Sequence, residues 1–225
     1  MNFVGGEPGL LPNIGDLVVL AGELGARASY VTNGLMLRRF DETWSARHLA
    51  SIGLSVDSLD QATNQSIGRV TAGGSICQYE QPQEAISRIR NISDMVVKIN
   101  TVVSAWNHAE DFSAFIQAVR PDRWKILRML PVRGISGEVG DRQFHDFLVR
   151  HRQFSDIIAA EDNDQMTGSY VMVDPRSRFF WFDGRPGSGY RYSEPIAEVG
   201  AVEAWKSVNF DVFKFTARYE SMALG

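Results

Sequence analysis

Two short stretches of this sequence place cationic and amide side chains at alternate positions: Lys98 and Asn100 within residues 95–103, and Arg123 and Lys125 within residues 123–129. Residues at i and i+2 on a strand point to one face, so each pair would act together. Two lysines, an arginine and an asparagine on an inner face would be costly without an anionic partner, and a polyphosphate would supply one. The same residues could instead face solvent or pair with carboxylates such as Glu110 and Asp111. A second kind of chemistry is written at the start, where an apolar run ends in Gly5-Gly6-Glu7-Pro8. Two glycines permit positive φ and a close backbone approach to a ligand, Glu7 offers an acceptor, and Pro8 ends any strand. A plain structural turn explains the same tetrapeptide. Other polar groups close strand-like runs in the same way: Asn33 after residues 28–31, and Ser55 with Asp57 around residues 52–56.

These groups need a scaffold that brings strand ends together. Apolar positions at helical spacing predict a helix from Ile14 to Leu24, with Asn13 at its start and Gly25 at its end. Further helices are expected over residues 42–49, 83–92 and 110–119. Helices of about ten residues alternating with strands argue for βαβ units, hence an α/β fold with a parallel sheet or barrel whose ligands sit at strand C-termini. Five strands are legible through residue 129, one or more short of a closed barrel. After Gly140 the pattern changes to an aromatic-rich helix over residues 141–153. Strands are then expected at 157–160, 169–174 and 178–182, and a final helix near 201–207. The division expected is a partial barrel over residues 1–140 and a small α+β extension over 141–225.

Composition removes several alternatives. The 225 residues are 44% apolar, enough for one core with an appendage. A formal net charge of −4 and a pI near 5.6 argue against non-specific binding to nucleic acid or anionic membranes. No apolar run is long enough to cross a bilayer and the first residues lack a secretory pattern, so a cytoplasmic protein is expected. Cys77 is the single cysteine, which excludes a disulfide framework and any all-cysteine metal or iron–sulfur site built from this chain alone. His48, His108, His145 and His151 are scattered without metal-ligand spacing, and neither a Gly-x-Ser-x-Gly elbow nor a phosphate loop occurs. No catalytic or metal-ligating residue is therefore assigned.

In order along the chain, Gly5-Gly6-Glu7-Pro8, Val31-Thr32-Asn33-Gly34, Ser55-Val56-Asp57-Ser58 and Ile67-Gly68-Arg69 resemble the radical S-adenosylmethionine (SAM) barrel. Val97-Lys98-Ile99-Asn100, Arg123-Trp124-Lys125-Ile126, and Glu161-Asp162-Asn163-Asp164-Gln165-Met166 followed by Ser169-Tyr170 narrow the resemblance to viperin and its prokaryotic homologues. These are SAM-dependent nucleotide dehydratases of antiviral defence. The resemblance covers nearly the whole chain. It implies a partial (β/α)6 radical SAM barrel, here without its first strand, and a [4Fe–4S] cluster that cleaves SAM with an external electron donor. It further implies a nucleoside triphosphate substrate that becomes a 3′-deoxy-3′,4′-didehydro chain terminator, and a monomer. Carried over, Gly5, Gly6, Glu7 and Pro8 would hold SAM, with Asn33, Ser55 and Arg69 adding contacts. Lys98 and Asn100 would meet the nucleotide's ribose and phosphates, Arg123 and Lys125 its triphosphate, and Tyr170 the C-terminal wall.

Three departures stand against it. The Cys-x-x-x-Cys-x-x-Cys loop that precedes Gly-Gly-Glu-Pro in the family, and the basic residue before that strand, are absent from this sequence, so the expectation is a truncated chain that is inactive and folds poorly alone. The tail Phe210-Asp211 to Ser221 lacks the family's Arg-Gly-Gly ending, for which Tyr190 or Arg191 could substitute. A degenerate nucleotide-binding protein and a radical SAM enzyme with another substrate are the alternative readings.

Overall fold

The computed structural model describes residues 1–34, 48–70, 84, 86–87, 89–91, 94–130, 136–185 and 189–223. Six strands form one sheet in chain order: β1 (Asn2–Phe3), β2 (Ala28–Thr32), β3 (Leu49–Ser55), β4 (Val96–Val103), β5 (Arg123–Arg128) and β6 (Ile158–Glu161). The pairings β1 with β2, β2 with β3, and β3 with β4 are parallel. Parallel neighbours that follow one another in sequence need a crossover each, which is the role of the helices between them.

Register divides the sheet into two chemically different faces. Tyr30 lies beside Ile52 and Val97, and Leu54 beside Ile99, so this face is apolar. It is also buried, together with Trp124 and Ile126 of β5. On the other face Val31 lies beside Gly53 and Lys98, and Ser55 beside Asn100, so small and polar groups alternate with the core residues. A parallel sheet with helices on both faces would be apolar throughout. One polar face therefore has another use.

Helix α1 (Ile14–Glu23) buries Ile14, Val18 and Ala21. Its buried stripe is narrower than the periodicity suggests, because Leu17 and Leu24 are exposed. Asn13 occupies the N-cap position without a side-chain capping bond. Gly25 closes the helix as expected: its φ is 78°, and the amides of Gly25 and Ala26 return to the carbonyls of Gly22 and Ala21, each at 2.9 Å. Further along are α2 (Gln61–Ser66), capped by the Asp60 carboxylate on the Thr63 amide at 2.7 Å, and α3 (Ser113–Val119). The helix expected over residues 42–49 lies mostly outside the described residues, as does Cys77. The described residues of 84–91 are helical.

The chain divides into two compact units, one of residues 1–127 with 140–159, the other of residues 128–139 with 160–225. Helix α4 (Asp141–Arg150) buries Phe144 and Phe147 and acts as one more crossover, and the strand after it joins the six-stranded sheet as β6. Just before β6, the Trp124 amide donates to the Ile157 carbonyl at 2.8 Å.

Behind β5, Trp124 meets Phe112, Phe147 and His151, its ring centroid 4.8 Å from that of His151. His151 is fully buried. The Phe112 amide donates to its Nε2 at 2.9 Å, and its Nδ1 lies 2.8 Å from the Phe147 carbonyl, which fixes a neutral ring protonated at Nδ1. Burial lowers its pKa from the ordinary 6.5, a loss that the Phe147 carbonyl and Asp111 partly offset. A depressed imidazole pKa means that the unfolded chain takes up the proton first. The stability contributed by His151 is present above about pH 6.5 and is lost as pH falls below it. We expect His151→Ala to cost about 3 kcal/mol through the cavity and the orphaned Phe112 amide, and to flatten that acid slope. Denaturant unfolding between pH 5 and pH 8 checks both.

In the second unit β7 (Met172–Val173), β8 (Arg178–Trp181) and β9 (Arg191–Pro195) form an antiparallel sheet. β9 has no counterpart in the sequence reading, and the strand expected over residues 169–174 shrinks to two residues. Short helices α5 (Asn163–Met166), α6 (Ile196–Val199) and α7 (Ala201–Trp205) and the longer α8 (Val212–Ala223) complete the unit.

Candidate functional site

The loop that follows β1 is built for close approach. Gly5 and Gly6 have φ values of 93° and 52°, and a Cβ placed on either would meet no atom within 4 Å. Both glycines are therefore required by backbone conformation, with open space beside them. Glu7 serves the loop itself. Its Oε1 accepts from the Gly9 amide at 3.1 Å and the Tyr30 hydroxyl at 3.1 Å. The Thr32 hydroxyl lies 2.9 Å from both carboxylate oxygens, and the Asn33 amide donates to Oε2 at 2.8 Å. The carboxylate expected to face a ligand instead clamps the β1 loop to the C-terminal end of β2. Pro8 is buried and opens a 3-10 turn, Pro8–Leu10.

Asp57 organises the ends of β3 and β4. One oxygen accepts from the Val102 amide at 2.8 Å, and the other holds both Nε and a terminal nitrogen of Arg69 at 2.5 Å. Arg69 is thus tethered from its inner side while about a third of its side chain stays exposed. Below this pair, Asn107 donates to the carbonyls of Asp57 and Val102, and Glu110 accepts from Ser58 and the Leu59 amide. Glu110 is therefore occupied in bracing loops, and Asp111 accepts from the Ser113 amide beside His151. The contacts seen for both carboxylates go to loop and helix-end groups rather than to the strand cations. We expect Asp57→Asn to cost about 2 kcal/mol in urea unfolding, since the buried site keeps an acceptor for Val102 but loses its charge against Arg69.

The strand cations share one environment. The Lys98 pKa is lowered by burial first, then by the positive charges of Arg123, Lys125 and Arg27. Lys98, Asn100, Arg123 and Lys125 are all half-buried. Ser55 faces Asn100 across the β3–β4 register. Tyr170 belongs to the second unit, where its hydroxyl donates to the buried Glu161 carboxylate at 2.6 Å. The sequence reading named no role for Gly53 or Asn107, placed Asp57 only as a polar group at a strand end, and offered Glu110 only as a partner for the strand cations. Polar residues two and four positions beyond a strand end were the available signal for Asp57 and Asn107.

As to cofactors, the backbone at Gly5 and Gly6 has open space beside it. A [4Fe–4S] cluster does not fit the residues present. Cys77 is the only cysteine, and the described residues contain no group of three His, Cys, Asp or Glu side chains that could hold a metal. Among the described residues, no helix is long and apolar enough to cross a membrane.

No family model matches the chain. It is 41% identical over 226 residues to the S-adenosylmethionine-dependent nucleotide dehydratase of Psychrobacter lutiphocae, covering 100% of this chain and 75% of that protein. A protein of the same description from Pseudoalteromonas ulvae is 38% identical, with 100% and 73% covered. The S-adenosylmethionine-dependent nucleotide dehydratase RSAD2 of Danio rerio is 32% identical over 240 residues, with 97% and 63% covered. Among solved structures, anSMEcpe with bound AdoMet has a TM-score of 0.63 at 16% identity, covering 95% of this chain and 66% of that one. Streptococcus suis SuiB bound to S-adenosylmethionine has a TM-score of 0.60 at 13% identity, covering 96% and 55%. At these identities the structural likeness is one of fold, the partial α/β barrel expected from the sequence.

Proposed function

The chain belongs to the S-adenosylmethionine-dependent nucleotide dehydratases, viperin-like radical SAM enzymes, and from that premise we propose that its polar sheet face takes a nucleoside triphosphate. The observation that carries the reading is the cation cluster: Lys98 is depressed by burial and by Arg123 and Lys125, a repulsion that a polyphosphate would relieve. In this reading Arg123 and Lys125 hold the triphosphate, and Lys98 and Asn100 meet ribose and phosphate. The Gly5 to Pro8 loop holds SAM, with Asn33, Ser55 and Arg69 adding contacts. Glu7 acts by shaping that loop, and Asp57 by aiming Arg69. In the family a [4Fe–4S] cluster would cleave SAM to supply the radical; the residues present here would hold SAM and the nucleotide and do not supply the cluster's ligands. The reaction removes the ribose 4′ hydrogen and the 3′ hydroxyl, giving a 3′-deoxy-3′,4′-didehydro nucleotide whose missing hydroxyl stops polymerases in antiviral defence. What this chain's residues do is fix the ribose against the reacting centre and exclude water. A cytoplasmic monomer served by an external electron donor completes the reading.

Titration calorimetry of the chain with CTP, UTP and GTP, each against its unphosphorylated nucleoside, tests it. The triphosphate is expected to bind at least tenfold tighter, with an advantage that shrinks as salt rises. Equal affinities would overturn the reading. The cysteine count favours a second reading, nucleotide binding without turnover by this chain. Formation of 5′-deoxyadenosine from SAM under strong reductant would exclude it.

A further inference from the structure

Gly53 lies in the interior of β3, with Val31 on one side and Lys98 on the other in register. Its backbone is ordinary strand, so conformation does not demand glycine there, and glycine weakens a strand interior. The demand is steric. A Cβ at this position would stand 2.7 Å from Asn100 Nδ2 and 3.2 Å from Val31 Cγ2. Asn100 is therefore leaning across β3 into the space that a side chain at residue 53 would fill. Its opposite number in register is Ser55, so without that space the carboxamide would have to stand off the sheet or swing toward the strand end.

We propose that Gly53 is the positioning residue for Asn100: the missing side chain at 53 sets the direction of the Asn100 carboxamide, and with it recognition of the ribose hydroxyls. The inference rests on the nucleotide reading of the polar sheet face. The atom nearest the added methyl is the far end of a flexible side chain, so Gly53→Ala is expected to fold with Asn100 turned aside. The Val31 methyl lies on the tighter side of ordinary contact and needs a shift of a few tenths of an ångström.

The test is a double-mutant cycle on the full chain, comparing Gly53→Ala, Asn100→Ala and the double variant. Affinity is measured for whichever of CTP, UTP and GTP binds the parent chain, and for its 3′-deoxy counterpart. Each single variant is expected to lose about tenfold in affinity for the ribonucleotide, the worth of one buried polar contact, and to bind the two nucleotides equally. The double variant should be no weaker than either single. A purely structural role for Gly53 would lower the melting temperature and leave the 3′-hydroxyl preference intact. Losses that multiply in the double variant, or a Gly53→Ala chain with an unchanged preference, would overturn the positioning role alone. An Asn100→Ala chain that binds as tightly as the parent would overturn the nucleotide reading of Asn100 on which it rests. Should Gly53→Ala fail to fold, Val31→Ala in the same chain removes the second contact, keeps the Asn100 one, and is read instead.

Discussion

Replacing Glu7 with alanine is expected to cost about 4 kcal/mol of folding stability and to abolish SAM binding, although in this structure the carboxylate is engaged entirely by its own chain. Several donors lose this acceptor at once. The Tyr30 and Thr32 side chains belong to residues only 3% and 2% exposed, and both hydroxyls donate to Glu7, as does the Asn33 amide. Burial and the Glu7 charge push the Tyr30 phenol pKa well above its ordinary value, so it stays a donor at any physiological pH. Each buried donor left without an acceptor costs about 1–3 kcal/mol, and water entering the vacated space recovers part of the sum. The functional consequence follows from the same bonds. Gly5 and Gly6 are held at positive φ by a loop whose far end is anchored through Glu7, and free glycines would sample many other backbones. Glu7→Gln separates the effects: it keeps an acceptor and the volume but loses the charge, and should cost about half as much. Urea unfolding together with SAM titration checks the pair. A Glu7→Ala chain destabilised by less than 1 kcal/mol, still binding SAM, would mean that the anchor lies elsewhere.

Where sequence reasoning succeeded and failed has a physical pattern. Strands β2, β4 and β5 lay within one or two residues of expectation, because apolar residues alternate there with residues of another kind and the period is unambiguous. The i, i+2 pairing of Lys98 with Asn100 and of Arg123 with Lys125 was legible for the same reason. From the sequence alone, α4 looks like the first element of something new. Its Phe147 packs against Trp124, and the helix runs between β5 and β6 as the last crossover of the sheet. β9 was unreadable, since Arg191-Tyr192-Ser193-Glu194-Pro195 carries two charges and a proline and is held by pairing with β8. At the site, the positions of Gly5, Gly6 and Glu7 were evident, but the direction of the Glu7 carboxylate was not. Spacing names the acceptor; only the fold says that Tyr30, Thr32 and Asn33 reach it first. Gly53 left no trace in the sequence beyond a glycine in an apolar run, because its function is the room it leaves.

Lys98→Met is expected to make the ligand-free chain more stable by about 1 kcal/mol while lowering its affinity for a nucleoside triphosphate by about 30- to 100-fold. Both effects have one cause. Lys98 sits half-buried beside Arg123 and Lys125, and its ammonium is disfavoured by desolvation and by those charges. Methionine fills a similar volume without charge and removes both penalties. A bound polyphosphate reverses the balance: the charges that repel one another then share an anion, and removing one leaves phosphate oxygens without a charge-assisted donor. The pH dependence separates this account from simple repacking. With its folded pKa lowered, Lys98 gives up its proton in the folded state before the unfolded chain does. Stability of the free protein should therefore rise with pH from that lowered pKa up to the ordinary 10.5. Nucleotide binding should run the opposite way, full below the lowered pKa and weakening as pH rises through it, because only the ammonium meets phosphate. Lys98→Met should erase both trends. Lys98→Arg, which stays charged throughout, should keep affinity nearest the parent value and lose the alkaline decline. If Lys98→Met instead destabilises the free chain and leaves triphosphate affinity within threefold of the parent, the polar face of this sheet is not where the phosphates lie.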